Sequence, residues 1–286
     1  MKLSNTHFDP NLPYWQDILP FLDQLCGPAF PSCAQLNALL PDGLCSSDGS
    51  AIQFVDSRQL DDKGYEQRIF TSGQVSTRAD SWHDLFNALI WMRFPRIKTA
   101  MNSLHLQSGA ALKSGSRGQL RDALTLFDEC GVIVFSHRLD ILQALAQRGW
   151  SDAFSDDAFP SSVGVTICGH AMLEKYLSPY KAMTAKALFI HTDPGFMDLS
   201  RQQQLEFLDR QLARNMLSDQ LLSKPACLSP LPLAGIPGWW PQDEQMSDTF
   251  YQDLQVFRPP PLEFTPAAVL DFPKHQLGQT IFKLQD

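Results

Sequence analysis

The chain has 286 residues, of which 44% are hydrophobic and 19% charged, and its formal net charge at pH 7 is −8. This length and apolar content are those of a globular protein with a sizeable core, in one or two domains. The acidic balance argues against nucleic acid or an anionic membrane as the general binding partner, because both require a positively charged surface.

No segment has the composition of a targeting signal or a membrane span. The N-terminal residues lack the apolar run of a secretory signal, and the longest uncharged run, residues 158–173, is too short and too polar to cross a bilayer. We therefore expect a cytoplasmic protein. Its cysteines form no C-x-x-C pair, so we expect reduced thiols and no structural zinc site. The six cysteines are Cys26, Cys33, Cys45, Cys130, Cys168 and Cys227.

Two short helices and one strand are predicted before residue 80. Apolar residues recur at helical spacing over residues 13–25, and prolines delimit a second helical pattern at residues 32–40. Residues 52–55 have the composition of a short strand. The segment 63–77 is ambiguous, but Tyr65, Ile69 and Phe70 favour a helical turn that ends at Gly73.

The most informative segment is the helix predicted at residues 82–94, which is apolar almost all the way round. Asp80 or Ser81 provides a plausible N-cap. Pro95 ends this helix and begins a second one running to residue 106, because proline disfavours a helical conformation in the residue before it but suits a first helical turn.

The middle of the chain is predicted to contain both helices and strands. After a loop at residues 108–118, two strands are expected at 123–127 and 132–135. Asp128, Glu129, Cys130 and Gly131 between them resemble a hairpin turn in which the glycine supplies a positive φ. The elements expected next are a helix at 139–150, a strand at 163–168, a helix at 170–177, a strand at 185–191 and a helix at 199–217.

Prolines recur after Lys224, while aromatic residues such as Trp239 and Trp240 indicate packing, since disordered tails contain few aromatics. We therefore expect residues 225–286 to form an extended segment packed on a main domain of residues 1–224. The predicted fold class is α+β: a mostly helical single domain with a small sheet and a proline-rich C-terminal wrap.

An ordered set of short motifs resembles a bacterial family known only as a domain of unknown function, number 3025. The resemblance covers roughly residues 60–260 and implies that these segments belong to one fold in a cytosolic bacterial protein. It implies no established reaction or cofactor. The motifs are W-H-D-L-F-N-A-L-I-W at 82–91, F-P-R-I-K-T-A-M-N at 94–102, R-G at 117–118, R-D-A-L-T-L-F-D-E-C-G at 121–131, G-H-A-M-L-E-K at 169–175, T-A-K-A-L at 184–188, P-L-A-G-I-P-G-W-W at 232–240 and V-F-R-P at 256–259.

The first candidate site is a polar arc on the central helix. At about 100° per residue, His83, Asp84 and Asn87 lie within roughly 100° of one another. A histidine near a carboxylate can act as a general base, although adjacent positions on a helix diverge, so Asp84 is not expected to orient His83 directly. The alternative is a solvated seam or a structural polar network. Trp91 lies on the same side, and the next helix carries Lys98, Asn102 and His105 as substrate-binding candidates.

The second candidate is His170 with Glu174, whose i, i+4 spacing provides half of a site for a divalent metal. A further ligand would come from elsewhere, with Asp122, Asp128 or His83 as donors. Asp122 is also a candidate catalytic residue in an acid/base or metal role, with an ion pair to Arg121 as the alternative. The alternative is an exposed surface pair. Asp128 and Glu129 are attributed to turn chemistry. Neither G-x-G-x-x-G nor a Walker lysine is present, which argues against a known nucleotide-binding loop.

The leading hypothesis is a small-molecule enzyme, hydrolytic or acid/base, with or without a metal ion, whose cavity lies between helices 82–94, 95–106 and the helix near His170. It requires His83 and His170 to lie within about 15 Å of each other. One alternative is a binding or assembly protein that uses an aromatic surface at Trp239 and Trp240. The other is a nucleic-acid-associated protein that uses a basic cluster, formed by Arg93, Arg96, Lys98, Lys113, Arg117 and Arg121.

Overall fold

The computed structural model describes residues 9–25, 27, 29–110, 116–219, 221–247 and 249–272. Within these ranges the fold is α+β and mostly helical, which confirms the predicted fold class. The helices are α1 (Leu19–Leu25), α2 (Cys33–Asn37), α3 (Tyr65–Ser72), α4 (Trp82–Arg93), α5 (Pro95–Ala110), α6 (Ser116–Cys130), α7 (Leu139–Ala146), α8 (Trp150–Phe154), α9 (Phe159–Ser162), α10 (His170–Lys175), α11 (Arg201–Asp219) and α12 (Gln242–Gln245). The strands are β1 (Gln53–Asp56), β2 (Gln74–Thr77), β3 (Gly131–Ser136), β4 (Val163–Ile167), β5 (Thr184–Thr192), β6 (Ser229–Pro232) and β7 (Val269–Phe272).

Five strands form the central sheet in the order β4-β3-β5-β6, and β7 pairs with β5 beyond the end of β6. β3 and β7 run parallel to β5, whereas β4 and β6 are antiparallel to their neighbours. Every residue of β3 is buried, as expected of a continuous apolar run that is covered on both faces. β1 and β2 form a separate parallel pair.

The central helix α4 is buried over nine of its twelve residues, because it has almost no polar face. Ser81 is its N-cap, and the Ser81 hydroxyl accepts a hydrogen bond from the Asp84 N–H at 3.2 Å. Pro95 then starts α5, as predicted. The first turn of α5 is capped by Asp209 of α11, whose carboxylate accepts from the backbone N–H groups of Ile97 at 2.9 Å and Arg96 at 3.2 Å.

The predicted strand at residues 123–127 and the hairpin after it are wrong, because this segment belongs to α6. A short apolar run does not distinguish a strand from a helix, and here Ala123, Leu124 and Phe127 form a buried helical face while Thr125 is exposed. Gly131 has no positive φ. It is needed for close packing instead, since a Cβ there would lie 2.3 Å from the Phe127 carbonyl oxygen.

The other predicted helices and strands are found at the expected positions, but their lengths sometimes differ from the prediction. The helix at residues 139–150 stops at Ala146, and Arg148, at a φ of 61°, separates it from α8. The helix predicted at 13–25 is divided into a short 3-10 helix, Pro13–Trp15, and α1. The loop predicted at 108–118 is largely helical, since α5 extends to Ala110 and α6 begins at Ser116. Strand β2 follows Gly73 and was not predicted.

The proline-rich segment is joined to the rest of the fold by strand pairing, since β6 and β7 both pair with β5. Its backbone also accepts a 2.9 Å hydrogen bond at Arg258 from the indole N–H of Trp150. Residues 273–286 of the predicted wrap lie outside the described residues.

None of the helices in the described ranges combines the length and hydropathy needed to cross a membrane.

Candidate metal centre

Three helix ends meet at one cavity: the start of α4, the last turn of α6 and the start of α10. Gly169 allows this arrangement, because it has no Cβ. A Cβ at that position would lie 2.4 Å from the backbone nitrogen of Gly131 and 2.6 Å from the backbone carbonyl oxygen of Glu129. Without a side chain, Gly169 approaches closely enough for its N–H to donate to the Gly131 carbonyl at 2.8 Å. His170, the first residue of α10, is thereby placed beside Glu129.

His83, His170 and Glu129 present three ligand atoms to one point. The Nε2 atoms of the two histidines are 3.2 Å apart. Glu129 Oε2 lies 3.6 Å from His83 Nε2 and 3.7 Å from His170 Nε2. Ligands bound at 2.0–2.2 Å in a tetrahedral zinc site are separated by roughly 3.3–3.6 Å. The three atoms therefore have the spacing of a metal-binding triad.

Each histidine of the triad also faces an aspartate on its other ring nitrogen. His83 Nδ1 is 3.3 Å from Asp84 Oδ1, within hydrogen-bond distance, whereas His170 Nδ1 is 3.8 Å from Asp128 Oδ2, beyond that distance. The expectation that Asp84 would not orient His83 is wrong, because the side chains turn toward each other although their Cβ directions diverge. Carboxylates behind ligating histidines are a common feature of protein metal sites, where they hold the rings in position.

Each of these aspartates is held by a cation. Arg78 contacts Asp84 through Nε at 3.0 Å and Nη2 at 2.6 Å, and Lys98 Nζ lies 2.5 Å from Asp128 Oδ1. Burial opposes ionisation of Asp84, but its bonds with Arg78 outweigh burial and lower its pKa. Burial likewise opposes ionisation of Asp128, whose pKa is lowered by Lys98 and His170. Both carboxylates are therefore ionised at neutral pH.

His170 is 3% exposed, and burial lowers its pKa to about 4, although Asp128 acts in the opposite direction. Lys98 and His83 lower this pKa further. At pH 7 the imidazole is therefore neutral and keeps a nitrogen lone pair available for a metal ion or a proton.

The cavity next to the triad has a volume of about 400 Å³, within the range of small-molecule sites. All of its lining residues carry polar side chains, which suits a polar ligand and not an apolar one. They are Ser57, Tyr65, Glu66, Ser76, Arg78, His83, Asp84, Asn87, His105, Thr125, Asp128, Glu129 and His170.

Asn87 connects Lys98 to the hydroxyl of Tyr65 in this wall. Lys98 Nζ donates to Asn87 Oδ1 at 2.9 Å, and the Asn87 amide nitrogen donates to Tyr65 Oη at 2.9 Å. Because an ammonium group can only donate, it determines which end of the amide faces Tyr65. Tyr65 as a residue is 37% exposed, but burial of its hydroxyl and the nearby Asp128 raise its pKa, so the group remains protonated.

The predicted site residues occupy three positions relative to this cavity. Five line it: His83, Asp84, Asn87, His105 and His170. Three are buried and outside the lining: Lys98, Asn102, which donates to Glu66 Oε2 at 2.6 Å, and Trp91, whose ring centroid is 5.5 Å from Lys98 Nζ. The remaining two, Glu174, half-buried on α10, and Asp122, exposed on α6, do not line it.

Glu129, Tyr65, Glu66 and Arg78 belong to the site but were not predicted as site residues. The turn predicted at Glu129 follows from the strand predicted at residues 123–127. As part of a helix, the same residues would have placed Glu129 and Asp128 at a helix end, directly before the close approach of Gly131 to Gly169. Tyr65, Glu66 and Arg78 carry no local signal, since they reach the cavity from α3 and from the end of β2.

Several residues of the two alternative surfaces pack against other parts of the fold. Trp239 is 8% exposed and packs edge-on against Tyr14 and Tyr176, so no exposed tryptophan pair is formed. In the basic cluster, Arg93 donates to the Asp17 carbonyl and Arg96 contacts Asp209. Lys113 and the side chain of Arg117 lie outside the described residues.

The five cysteines that the structure describes are free, and Cys26 lies outside the described residues.

Residues 52–260 match the family described as "Protein of unknown function (DUF3025)", and the chain belongs to that family. The match confirms the resemblance inferred from the sequence motifs, and it contains all three residues of the triad and the whole cavity lining. Neither a curated protein nor a solved structure matches the chain.

Proposed function

We propose that this protein is a metal-dependent hydrolase of a small polar molecule, with a divalent transition metal held by His83, His170 and Glu129. The observation that carries the proposal is the triad, in which three ligand atoms of suitable type lie 3.2–3.7 Å from one another. Two imidazoles and one carboxylate form a ligand set typical of catalytic zinc, in which the fourth position remains open to water.

The formal charges of the cavity support a divalent cation. Arg78 pairs with Asp84 and Lys98 with Asp128, so Glu66 and Glu129 are left without a cationic partner. Counted with neutral imidazoles, the described site therefore has a formal charge of −2. A divalent ion compensates this charge at the point where Glu129 and both Nε2 atoms converge.

The residues around the triad have chemistry that suits hydrolysis. A bound metal ion would lower the pKa of a coordinated water and make it a nucleophile at neutral pH. Tyr65 lines the same cavity, and because its oxygen accepts from Asn87, its hydroxyl hydrogen is available to a ligand. In our proposal Tyr65 donates this hydrogen bond to the substrate oxygen on which negative charge develops when water attacks.

One observation favours a second candidate, a metal-free acid/base site. The 3.2 Å distance between the two Nε2 atoms also fits a hydrogen bond between neutral imidazoles. In that case His170 and His83 would exchange a proton with the substrate directly. For either candidate we propose a cytoplasmic enzyme whose ligand is a small molecule.

Metal analysis of the purified protein separates the two candidates. We expect about one transition-metal ion per chain in the wild type, and its loss in His83→Ala, His170→Ala and Glu129→Gln. His191→Ala and Glu174→Gln are the matched controls, because neither residue lines the cavity, and they should retain the metal.

A wild-type protein that binds no zinc, manganese or cobalt ion, even when reconstituted, would overturn the metal proposal. The acid/base candidate would then be tested by screening ester, amide and phosphoester substrates with the wild type, His83→Ala and Tyr65→Phe. Activity independent of Tyr65 would remove its role as an oxyanion donor.

A further inference from the structure

We infer that the substrate carries a phosphate group, which binds at a rim of the cavity formed by Ser57, Ser76 and Arg78. This inference rests on the proposed function, because it assigns the substrate class of the same cavity. It is carried by the positions of three hydrogen-bond donors that the metal centre does not use.

The two-stranded sheet directs these donors toward the cavity. Val75 and Thr77 of β2 are buried, so the alternating residues Ser76 and Arg78 face the other way, where both line the cavity. Ser57 directly follows β1, whose last residue, Asp56, pairs with Thr77. The parallel register therefore places Ser57 at the same end of the sheet as Arg78.

Each of these side chains keeps a donor available. Arg78 uses Nε and Nη2 to bind Asp84, whereas its Nη1 makes no hydrogen bond to any described residue. The hydroxyls of Ser57 and Ser76 also have no hydrogen-bond partner among the residues that the structure describes. The rim thus offers the Nη1 amino group of the guanidinium, with its two N–H bonds, and two hydroxyls to a ligand.

This donor set fits a phosphate better than a carboxylate. A carboxylate is recognised best by two parallel N–H groups of an arginine. In Arg78 these groups, on Nε and Nη2, already bind Asp84. The remaining donors come from three separate side chains and suit a tetrahedral group with several outward oxygen atoms. A phosphate also has stronger charge complementarity to a site that contains both a guanidinium group and a metal ion.

The metal and the phosphate should bind cooperatively, because without the metal the four cavity carboxylates Glu66, Asp84, Asp128 and Glu129 repel an anion. Arg78 and Lys98 compensate only two of them. Bound metal removes the remaining formal charge and makes phosphate binding favourable. We therefore expect weak phosphate binding to the metal-free protein and stronger binding to the metal-loaded protein.

Calorimetric titration with inorganic phosphate tests the inference, using full-length protein that is loaded with zinc and then freed of excess metal. We expect the Ser57→Ala/Ser76→Ala double variant and Arg78→Gln each to weaken phosphate binding about tenfold or more, as loss of hydrogen bonds to a charged group implies. The double serine variant should keep the zinc content of the wild type. The zinc content of Arg78→Gln is measured in the same preparation, because Arg78 holds Asp84 behind His83.

Arg138→Gln is the matched control for Arg78→Gln. Arg138 binds Asp140 through Nε at 2.9 Å and Nη2 at 2.6 Å, which is the same pairing, but it does not line the cavity. We expect its phosphate affinity to equal that of the wild type. The double serine variant leaves the Arg78–Asp84 pair intact, so its result does not depend on changes at Asp84.

The outcomes separate this inference from the proposed function. Equal phosphate affinity in the wild type, Arg78→Gln and the serine double variant, with zinc retained, would mean that phosphate binds only the metal, and the rim assignment would be wrong. Acetate binding as tight as phosphate binding, with the same sensitivity to the variants, would overturn the choice of phosphate. Absence of metal from the wild type would instead overturn the proposed function.

Discussion

Lys98 is a buried cation on which the charge balance of the cavity depends. Its side chain is 4% exposed, and it donates to Asp128 and Asn87 while its ammonium group lies near the face of Trp91. Sequence reasoning assigned Lys98 to substrate binding. Its contacts indicate a positioning residue, which maintains the ionised form of Asp128 and the orientation of the Asn87 amide.

Lys98→Met should lower the free energy of unfolding by about 2–4 kcal/mol, because it leaves Asp128 without its cation in a largely buried site. Urea denaturation at pH 7 measures this loss. The control is Lys181→Met, since Lys181 pairs with Asp253 near the surface, and such a pair contributes about 0–1 kcal/mol.

The double variant Lys98→Met/Asp128→Asn adds a check on the cause. Asparagine removes the uncompensated charge, so we expect part of the lost stability to return. A loss from Lys98→Met no larger than that from Lys181→Met would show that the ammonium group is not important for the fold.

At the scale of elements, the site depends on how closely α10 approaches the end of α6. Gly169 donates its N–H to Gly131, and neither glycine has room for a Cβ. Two glycines thus permit the contact that brings Glu129 beside His170. The sequence contains both glycines, but their spatial relation follows from the antiparallel pairing of β3 with β4, in which Val132 faces Ile167.

Gly169→Ala should destabilise the protein by about 1–3 kcal/mol, because the added methyl group must displace backbone. It should also reduce metal occupancy, since it moves His170 away from Glu129. Gly195→Ala is the matched control, as a Cβ there meets no atom within 4 Å. Thermal unfolding and metal analysis of both variants measure the two effects, and unchanged metal content in Gly169→Ala would argue against this close approach.

At the scale of the whole molecule, Asp209 links α11 to the start of α5. Asp209 is 1% exposed, and burial raises its pKa to about 6, although hydrogen bonds from the backbone of Ile97 and Arg96 act in the opposite direction. In the unfolded chain its pKa returns to 3.8. Between these values the folded protein retains a proton that the unfolded chain has lost.

Stability should therefore fall as pH rises through this interval. The contribution of Asp209 is fully present below about pH 4 and is lost by about pH 6, with a size of about 3 kcal/mol from two pKa units. Asp209→Asn cannot titrate and should lack this decrease. Free energies of unfolding measured from pH 4 to pH 7 give the comparison, and parallel curves for the two proteins would contradict it.

Much of the fold could be predicted from local patterns. The Ser81 cap and Pro95 define where α4 and α5 begin, and the apolar run at 132–135 is strand β3, because caps, prolines and side-chain periodicity act over a few residues. The strand prediction for segment 123–127 was wrong because local patterns act only over a few residues. Its apolar run is compatible with either structure, and packing against the sheet and α10 determines that it is helical.

The sequence by itself determined the α+β class, the polar arc on α4 and the histidine at the start of α10. Only the tertiary structure brought Glu129 to the two imidazoles, placed Lys98 and Asn102 outside the cavity lining, and added Tyr65 and Arg78 to it. The physical reason is range: helix caps and amphipathic faces depend on neighbouring residues, whereas a metal-binding triad depends on distances of 3–4 Å between side chains of α4, α6 and α10.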